Sequence, residues 1–131
     1  MYLLDTNICI YIIKKSPKIV VEKIKSLKPT QIKLSAISLG ELEYGVYKSK
    51  NIEKNKKALI DFVSGFDIIN FNDEDAEVFG MLRADLEIRG KVIGSYDMQI
   101  AAQAITRKLT LVTNNTDEFS RITNLRLKNW V

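Results

Sequence analysis

The sequence lacks histidine entirely, and this absence narrows the chemistry open to the protein. It excludes hydrolysis by Ser-His-Asp or Cys-His arrangements, RNA cleavage that depends on histidine, and zinc sites with histidine ligands. Cys9 is the single cysteine, so an internal disulfide is excluded and a structural zinc site has too few sulfur ligands. Any catalysis must therefore come from Asp, Glu, Lys or Tyr side chains, or from a metal ion bound by oxygen.

Prolines and long apolar runs are also scarce. Pro17 and Pro29 are the two prolines, and no apolar run approaches the roughly 18–20 residues that span a bilayer. The N-terminus reaches Asp5 without a basic region, so we expect no signal peptide, and a single cysteine suits the cytoplasm. The 131 residues, 46% hydrophobic and 27% charged, predict one globular domain over residues 1–131. The net charge of +4 slightly favours a polyanionic partner.

Apolar, strand-like stretches alternate with amphipathic stretches of helical period along the chain. The predicted strands are 2–4, 32–34, 68–71, 109–113 and 125–127. The predicted helices are 6–14, a stretch after Pro17, 35–48, 51–64, 73–89, 96–107 and a short turn around Phe119. Asn72 and Ser95 are predicted N-caps, and Gly90 is predicted to end a helix. This alternation predicts an α/β fold, a three-layer α/β/α sandwich with a mainly parallel central sheet.

Five polar residues are predicted to fall at one edge of this sheet, where parallel strands end and ligands bind. They are Asp5, Glu41, Asp97, Asn115 and Asp117. Each alone has an ordinary structural interpretation as a helix cap, a solvated helix charge, a first-turn acid or a turn residue. Together, with no histidine or arginine between them, the acids would repel one another unless a cation bound among them.

Oxygen ligands with open positions suit Mg²⁺, for which Mn²⁺ can substitute, because such ions keep waters and bind phosphate oxygens. A site of this kind activates water and neutralises the charge that develops on a phosphodiester. The acid cluster in a basic, histidine-free chain therefore predicts a metal-dependent nuclease.

Four segments resemble, in order, the four sequence motifs of PIN domains. Residues 3–8 (LLDTNI) resemble the first motif, in which two hydrophobic residues precede Asp-Thr-Asn. The other three motifs are resembled by residues 35–45 (SAISLGELEYG), 93–102 (IGSYDMQIAA) and 112–119 (VTNNTDEF). The compact length and residues 127–130 (LKNW) resemble the VapC toxin branch of this family.

The resemblance implies that Asp5, Glu41 and Asp97 are the three acidic residues of the metal site. Asn115 holds the usual position of the fourth acid, and an amide brings no charge, so Asp117 is a candidate replacement. The family likeness further implies a Mg²⁺-dependent endoribonuclease that cuts structured RNA, often transfer RNA, as the toxin of a toxin–antitoxin pair. Its VapB-type antitoxin would block the acidic cleft with its tail and add a domain that binds operator DNA. It also implies a homodimer, for which residues 42–47 are a candidate face.

Two threonines and two lysines are further candidates for substrate binding. Thr6 and Thr113 lie beside the acids in sequence, so they are predicted to hydrogen-bond metal-bound waters or a phosphate, with backbone capping as the alternative. Lys14 and Lys15 are candidates to hold the RNA backbone, with a solvated charged face as the alternative.

Tyrosines and the lone cysteine receive structural interpretations. Tyr11, Tyr44 and Tyr47 are predicted to pack at the edge of the core, although base stacking and a protein interface are alternatives. Cys9 lies on an apolar helix and is predicted to be buried and inert.

Two other classes of function remain to be weighed. A phosphoaspartyl phosphatase needs Asp-x-Asp after the first strand, whereas Asn7 holds the third position here, and a receiver domain needs a paired early acid that is missing. A non-catalytic RNA-binding module of the same fold is the second alternative, and it is favoured by Asn115 alone.

Overall fold

A computed structural model describes residues 1–131 and contains a five-stranded sheet. Its strands are β1 (Tyr2–Leu4), β2 (Ile32–Ser35), β3 (Asp67–Ile69), β4 (Thr110–Val112) and β5 (Leu127–Lys128). Its helices are α1 (Thr6–Lys14), α2 (Lys18–Lys25), α3 (Ala36–Lys48), α4 (Ile52–Val63), α5 (Asp73–Ile88), α6 (Ser95–Thr106) and α7 (Thr116–Phe119), with a 3-10 turn at Pro29–Gln31. All four strand pairings are parallel.

Buried side chains of alternate strand residues form one core on each face of the sheet. Leu3 and Leu111 face one core, which includes Leu86 of α5 and Ile100 of α6. Their neighbours Leu4 and Val112 face the other core, which includes residues of α1 to α4. Successive residues of a strand point to opposite faces, so short apolar strands supply both cores. The predicted three-layer α/β/α sandwich is therefore confirmed.

The order of the strands is β3-β2-β1-β4-β5. The chain runs outward from β1 through β2 to β3, and then returns to place β4 on the other side of β1. A crevice forms between β1 and β4 at their carboxyl ends, because the connections leave these two strands in opposite directions. Asp5 follows β1 and Thr113 follows β4, so both residues lie at this crevice.

Element boundaries differ from the prediction where strand pairing or backbone capping decides them. The strand predicted over 68–71 is Asp67–Ile69, because those residues pair with β2. The strand predicted over 125–127 is Leu127–Lys128, because those residues pair with β4. Ser95 is not an N-cap, since Gly94 holds that position and no side chain caps the helix. No helix combines the length and apolar character needed to cross a bilayer.

Both ends of α5 are fixed as predicted. Asn72 caps its first turn, where the Asn72 side chain accepts from the Asp75 N–H and the Asp75 carboxylate accepts from the Asn72 N–H. Gly90, at φ 67°, ends it in the left-handed conformation that favours glycine. The Lys91 N–H then bonds to the Leu86 carbonyl, which satisfies a carbonyl of the last turn.

A buried ion pair joins α5 to the end of α6. The Asp75 carboxylate is fully buried and accepts from Arg107 Nη1 at 2.7 Å and from Thr106 Oγ1 at 2.5 Å. Arg107 also donates through Nη2 to the Asn70 carbonyl at 2.9 Å. Burial alone would raise the pKa of Asp75, but the bonds from Arg107, Thr106 and Asn72 outweigh it and hold that pKa below its usual value.

The structure shows whether Cys9, Tyr44 and Tyr47 are buried, as the sequence analysis predicted for the cysteine, or packed at the edge of the core, as it predicted for the tyrosines. Cys9 is fully buried, and burial raises the pKa of its thiol, in agreement with an inert residue. The prediction that Tyr44 and Tyr47 pack at the edge of the core is wrong, since they are 65% and 62% exposed.

Leu42 and Val46 are buried in the protein's own core, so a dimer face over 42–47 would retain little beyond the two tyrosines. The homodimer itself stays a prediction.

Replacing Arg107 by Met should destabilise the protein strongly, because it leaves the Asp75 carboxylate buried without its cation. We expect a loss of about 3–5 kcal/mol in the free energy of unfolding at pH 7, measured by urea denaturation. Arg83→Met is the matched control, since Arg83 pairs with Glu87 at 3.0 Å with both side chains more than half exposed. That change should cost less than about 1 kcal/mol. Equal losses in the two variants would contradict the role given to the buried pair.

Candidate active site

An open cleft of about 910 Å³ lies at the carboxyl ends of β1 and β2. It is lined by Asp5, Thr6, Asn7, Ile10, Ala36, Ile37, Gly40, Glu41, Tyr44, Tyr96 and Asp97. The three acids whose metal role the motifs imply therefore share one cavity, although 36 and 56 residues separate them along the chain. The topology brings them together, because α1, α3 and α6 all begin at this edge of the sheet.

Asp5 is held from two sides in the crevice between β1 and β4. Its carboxylate is 4% exposed, and Oδ1 accepts from the Ile8 N–H at 2.9 Å, which caps α1. Oδ2 accepts from Thr113 Oγ1 at 2.5 Å, and Thr113 Oγ1 in turn accepts from the Asn115 N–H at 2.9 Å. Burial raises the pKa of Asp5 despite these bonds. Asp5 is thus both the helix cap and a member of the cleft.

Glu41 is oriented by a side chain from α1. Thr6 Oγ1 donates to Glu41 Oε1 at 2.8 Å, and it also lies 3.1 Å from Ser38 Oγ. No lysine or arginine forms an ion pair with Glu41. Glu41 is therefore a positioned, partly buried acid of the cleft and not a solvated helix charge.

Asp97 carries the clearest electrostatic signature of the cleft. It lies in the first turn of α6 and is partly buried. Burial is the largest cause that raises the pKa of Asp97, and together with the charges of Asp5, Glu41 and Glu118 it brings that pKa to about 6. A first-turn acid that served only the helix dipole would be stabilised in its charged form, so its pKa would move the other way.

Glu118 is the acid that sequence reasoning missed. Its charge acts on Asp97, whereas Asp117 is exposed and lines a separate surface beside Gly90 and Arg121. Asp117 does not line the cleft, so the structure gives no support to the prediction that it replaces the fourth acid, which stays a prediction. The sequence did contain a signal for Glu118, which stands three residues after the N-cap Asn115. An acid at that position commonly turns back towards the start of its helix.

The structure places the remaining candidates at different distances from the cleft. Asn115 lies next to it through its backbone bond to Thr113, but its side chain does not cap α7. Lys14 lines an apolar groove that shares Ile10 and Glu41 with the cleft. Lys15, just beyond α1, lines neither cavity.

A buried amide links the helices that carry Glu41 and Asp97. Ser35 Oγ, which caps α3, donates to Gln103 Oε1 of α6 at 2.5 Å. Gln103 Nε2 donates to the Ile69 carbonyl of β3 at 3.4 Å. Ser35 and Gln103 are both fully buried, so this contact fixes α6 against α3 inside the protein.

The chemistry of the donors fits a hard divalent cation. Asp5, Glu41, Asp97 and Glu118 offer carboxylate oxygens, and none of them takes part in an ion pair with a lysine or arginine. Burial and the neighbouring negative charges both raise the pKa of Asp97, and a bound cation would relieve both effects. No three acidic side chains are already drawn together as a finished ligand set. The residues therefore fit Mg²⁺ in charge and donor type, with side-chain rotation needed to close around it.

The PIN-domain family profile matches residues 2–125, and the chain belongs to that family. Among its relatives, Ribonuclease VapC2 of Rickettsia felis is 47% identical over 131 residues, which cover 99% of this chain and 98% of that protein. The tRNA(fMet)-specific endonuclease VapC of Shigella flexneri is 40% identical over 129 residues, which cover 98% of this chain and 97% of that protein.

Two solved structures contain chains whose fold matches this one over nearly its whole length. The crystal structure of VapBC2 from Rickettsia felis bound to a DNA fragment from its promoter contains a chain 45% identical to this one. The TM-score is 0.93, and the match covers 99% of this chain and 98% of that chain. DNA-bound VapBC from Salmonella typhimurium gives a TM-score of 0.93 at 36% identity, with 99% and 98% covered.

The raised pKa of Asp97 predicts how the metal-free protein responds to pH. The folded protein binds this proton more tightly than the unfolded chain, whose Asp pKa is near 3.8, so stability falls as pH rises from about 4 to about 6. We expect this group to contribute roughly 1–3 kcal/mol of that fall, at about 1.4 kcal/mol per pKa unit. Asp97→Asn should remove the contribution, so the mutant should be as stable as the parent or more stable at pH 7.

Thermal melts in chelator from pH 4 to pH 7, with parent and Asp97→Asn side by side, measure this difference. Asp117→Asn is the control, since Asp117 lies outside the cleft and its variant should keep the parent's pH slope. An Asp97→Asn protein that is less stable than the parent at every pH would show that Asp97 serves the helix instead.

Proposed function

We propose that this protein is a Mg²⁺-dependent endoribonuclease and the toxin of a type II toxin–antitoxin pair. Mn²⁺ is expected to substitute for Mg²⁺, and the substrate is a structured cytoplasmic RNA, with transfer RNA as the leading candidate. The observation that carries this proposal is that Asp5, Glu41 and Asp97 line one cleft at the edge of a parallel sheet, and none of them forms an ion pair with a lysine or arginine. The names of the two relatives, a ribonuclease and a tRNA(fMet)-specific endonuclease, support the reaction and the substrate class.

Asp5, Glu41 and Asp97 would hold the ion. A divalent cation bound there activates water and neutralises the charge that develops on the phosphodiester. The chain's own contribution is to place the oxygens: Ile8 and Thr113 fix the Asp5 carboxylate, and Thr6 fixes that of Glu41. In a protein without histidine, the carboxylates of the cleft are the candidates for proton transfer beside the water that a bound cation would activate.

The proposed inhibitor is a VapB-type antitoxin whose amphipathic tail occupies the apolar groove beside the cleft. This groove has a volume of about 400 Å³. Its apolar residues are Ile10, Ile13, Leu42, Val46, Ala58 and Leu59. Because the groove shares Glu41 with the cleft, a tail lying in it would reach the acids. The DNA-bound VapBC structures support a toxin–antitoxin complex that binds promoter DNA. A toxin homodimer within that complex is a further part of the proposal.

A non-catalytic RNA-binding module is the alternative, and Asn115 was its one support. We propose that Glu118 weakens that support, because its charge is one of those that raise the pKa of Asp97. A phosphatase remains disfavoured by Asn7, which replaces the second acid of Asp-x-Asp. Hydrolysis of a phosphomonoester without cleavage of RNA would favour the phosphatase over the ribonuclease.

Cleavage of RNA should require a divalent metal ion and the acids of the cleft. With Mg²⁺ or Mn²⁺ we expect endonucleolytic products from a transfer RNA pool, and with excess chelator none. Asp97→Asn should lower kcat/KM by more than the roughly 10–100-fold typical of groups that support metal ligands, and Glu118→Gln by about that range. Added Mg²⁺ should also raise the melting temperature of the parent and do so much less for Asp97→Asn.

Asp117→Asn is the matched control for Glu118→Gln, because it neutralises the neighbouring acid on the other side of α7. It should leave cleavage unchanged. Equal cleavage in excess chelator would overturn the metal mechanism, and a larger effect at Asp117 than at Glu118 would overturn the assignment of the fourth acid.

Expression of the protein alone should arrest cell growth, because uncontrolled cleavage of an essential RNA is toxic. Co-expression of the small protein encoded next to it should restore growth, while Asp97→Asn should be tolerated alone. Growth curves with immunoblots of the soluble protein measure both effects. Normal growth at a high level of soluble parent protein would contradict the toxin assignment.

A further inference from the structure

Two exposed tyrosines stand on the walls of the acidic cleft. Tyr44 is 65% exposed and Tyr96 is 58% exposed, and both line the same cavity as Asp5, Glu41 and Asp97. Rings with that much exposure contribute little to the core. They present apolar faces to whatever enters the cleft.

Each ring lies next to a proposed metal ligand. Tyr44 follows Glu41 by three residues on α3, which places the two side chains on the same face with Cβ atoms roughly 5–6 Å apart. Tyr96 directly precedes Asp97 in the first turn of α6. A phosphate held at the acids would therefore have an aromatic ring close by on both the α3 and the α6 side.

A glycine keeps the approach to Tyr44 open. Gly40 lies one turn before Tyr44 and lines the cleft, and helical side chains lean towards the preceding turn. A Cβ added at Gly40 would meet no heavy atom within 4 Å, so the space beside the ring is free. One turn after Tyr44, Lys48 Nζ lies 5.6 Å from the centre of the ring and brings a positive charge to this wall.

The charge of the cleft decides what kind of contact can hold a nucleic acid there. The carboxylates repel the phosphate backbone except where a cation intervenes. Additional affinity for a nucleic acid close to the acids must therefore come from uncharged surfaces. The rings of Tyr44 and Tyr96 are the large uncharged surfaces in the cleft. Bases in a duplex are already stacked and paired, whereas bases in a loop can turn out and stack on aromatic side chains.

We propose that Tyr44 and Tyr96 form a stacking site for the unpaired bases that flank the scissile phosphodiester. This inference rests on the proposed ribonuclease function and names two residues that position its RNA substrate. Stacking on a single aromatic ring typically changes affinity by roughly 5- to 100-fold per base.

Steady-state cleavage of a hairpin RNA with an unpaired loop tests the site. Tyr44→Ala and Tyr96→Ala should each raise KM by roughly 5- to 100-fold with a much smaller change in kcat. Tyr44→Phe and Tyr96→Phe keep the ring and should bring KM back towards the parent value. A duplex of the same sequence without a loop should be a poor substrate for the parent.

Tyr47→Ala is the matched control. Tyr47 lies on the same helix and is 62% exposed, but it does not line the cleft and faces Lys56, whose Nζ lies 5.7 Å from its ring centre. Its KM should equal the parent value. Gly40→Leu is a second test, because leucine favours the helix while its side chain fills the space beside Tyr44, so KM should rise although the ring remains.

The outcomes separate the two proposals. If the parent cuts the hairpin and both alanine variants keep its KM, the stacking site is wrong and the ribonuclease stands. Cutting of the duplex as well as the hairpin also overturns it. If the alanine variants change the sedimentation mass and not KM, the rings belong to a contact between copies of the chain, and the stacking site is again overturned. If the parent cuts no RNA with Mg²⁺, the proposed function itself has failed.

Discussion

The Asp5 carboxylate is buried between β1 and β4, where water cannot stabilise its charge, and the site is built around that constraint. The fold compensates with the Ile8 N–H and the Thr113 hydroxyl, each of which comes from an element that also defines the crevice. The two hydrogen bonds that cap α1 and join β1 to the end of β4 therefore also hold the Asp5 carboxylate, the proposed metal ligand, in place. Asp97 lies close enough for the charge of Asp5 to add to the effect of its own burial, and both raise the pKa of Asp97.

Much of the fold could be predicted from the sequence because its signals are local. Apolar stretches of three to five residues followed by helical periods led to the parallel sheet, and cap residues such as Asn72 and Gly90 fixed both ends of α5. The same reasoning brought Asp5, Glu41 and Asp97 to one edge of the sheet, since strands of a parallel sheet end together. Their shared cavity follows from topology more than from any single motif.

The features that were missed depend on contacts that sequence spacing does not show. Asp117 and Glu118 are neighbours on a short helix, and sequence spacing did not indicate that the charge of Glu118 acts on Asp97 while Asp117 lines a separate surface. Tyr44 and Tyr47 lie on the same helix as the core residues Leu42 and Val46, but they are offset from that buried face by about 100° or more, and their rings are exposed. Arg107 is 32 residues from Asp75, so the local sequence pattern around either residue could not predict their ion pair.

Gln103 has a consequence for how the cleft can respond to its surroundings. Its amide spans the helices that carry Glu41 and Asp97, and an amide neither gains nor loses a proton in the range where carboxylates do. One contact between those two helices is thus made by groups that do not titrate with the carboxylates. Protonation of Asp97 changes the charge of the cleft, whereas the hydrogen bond between Ser35 and Gln103 does not depend on that protonation.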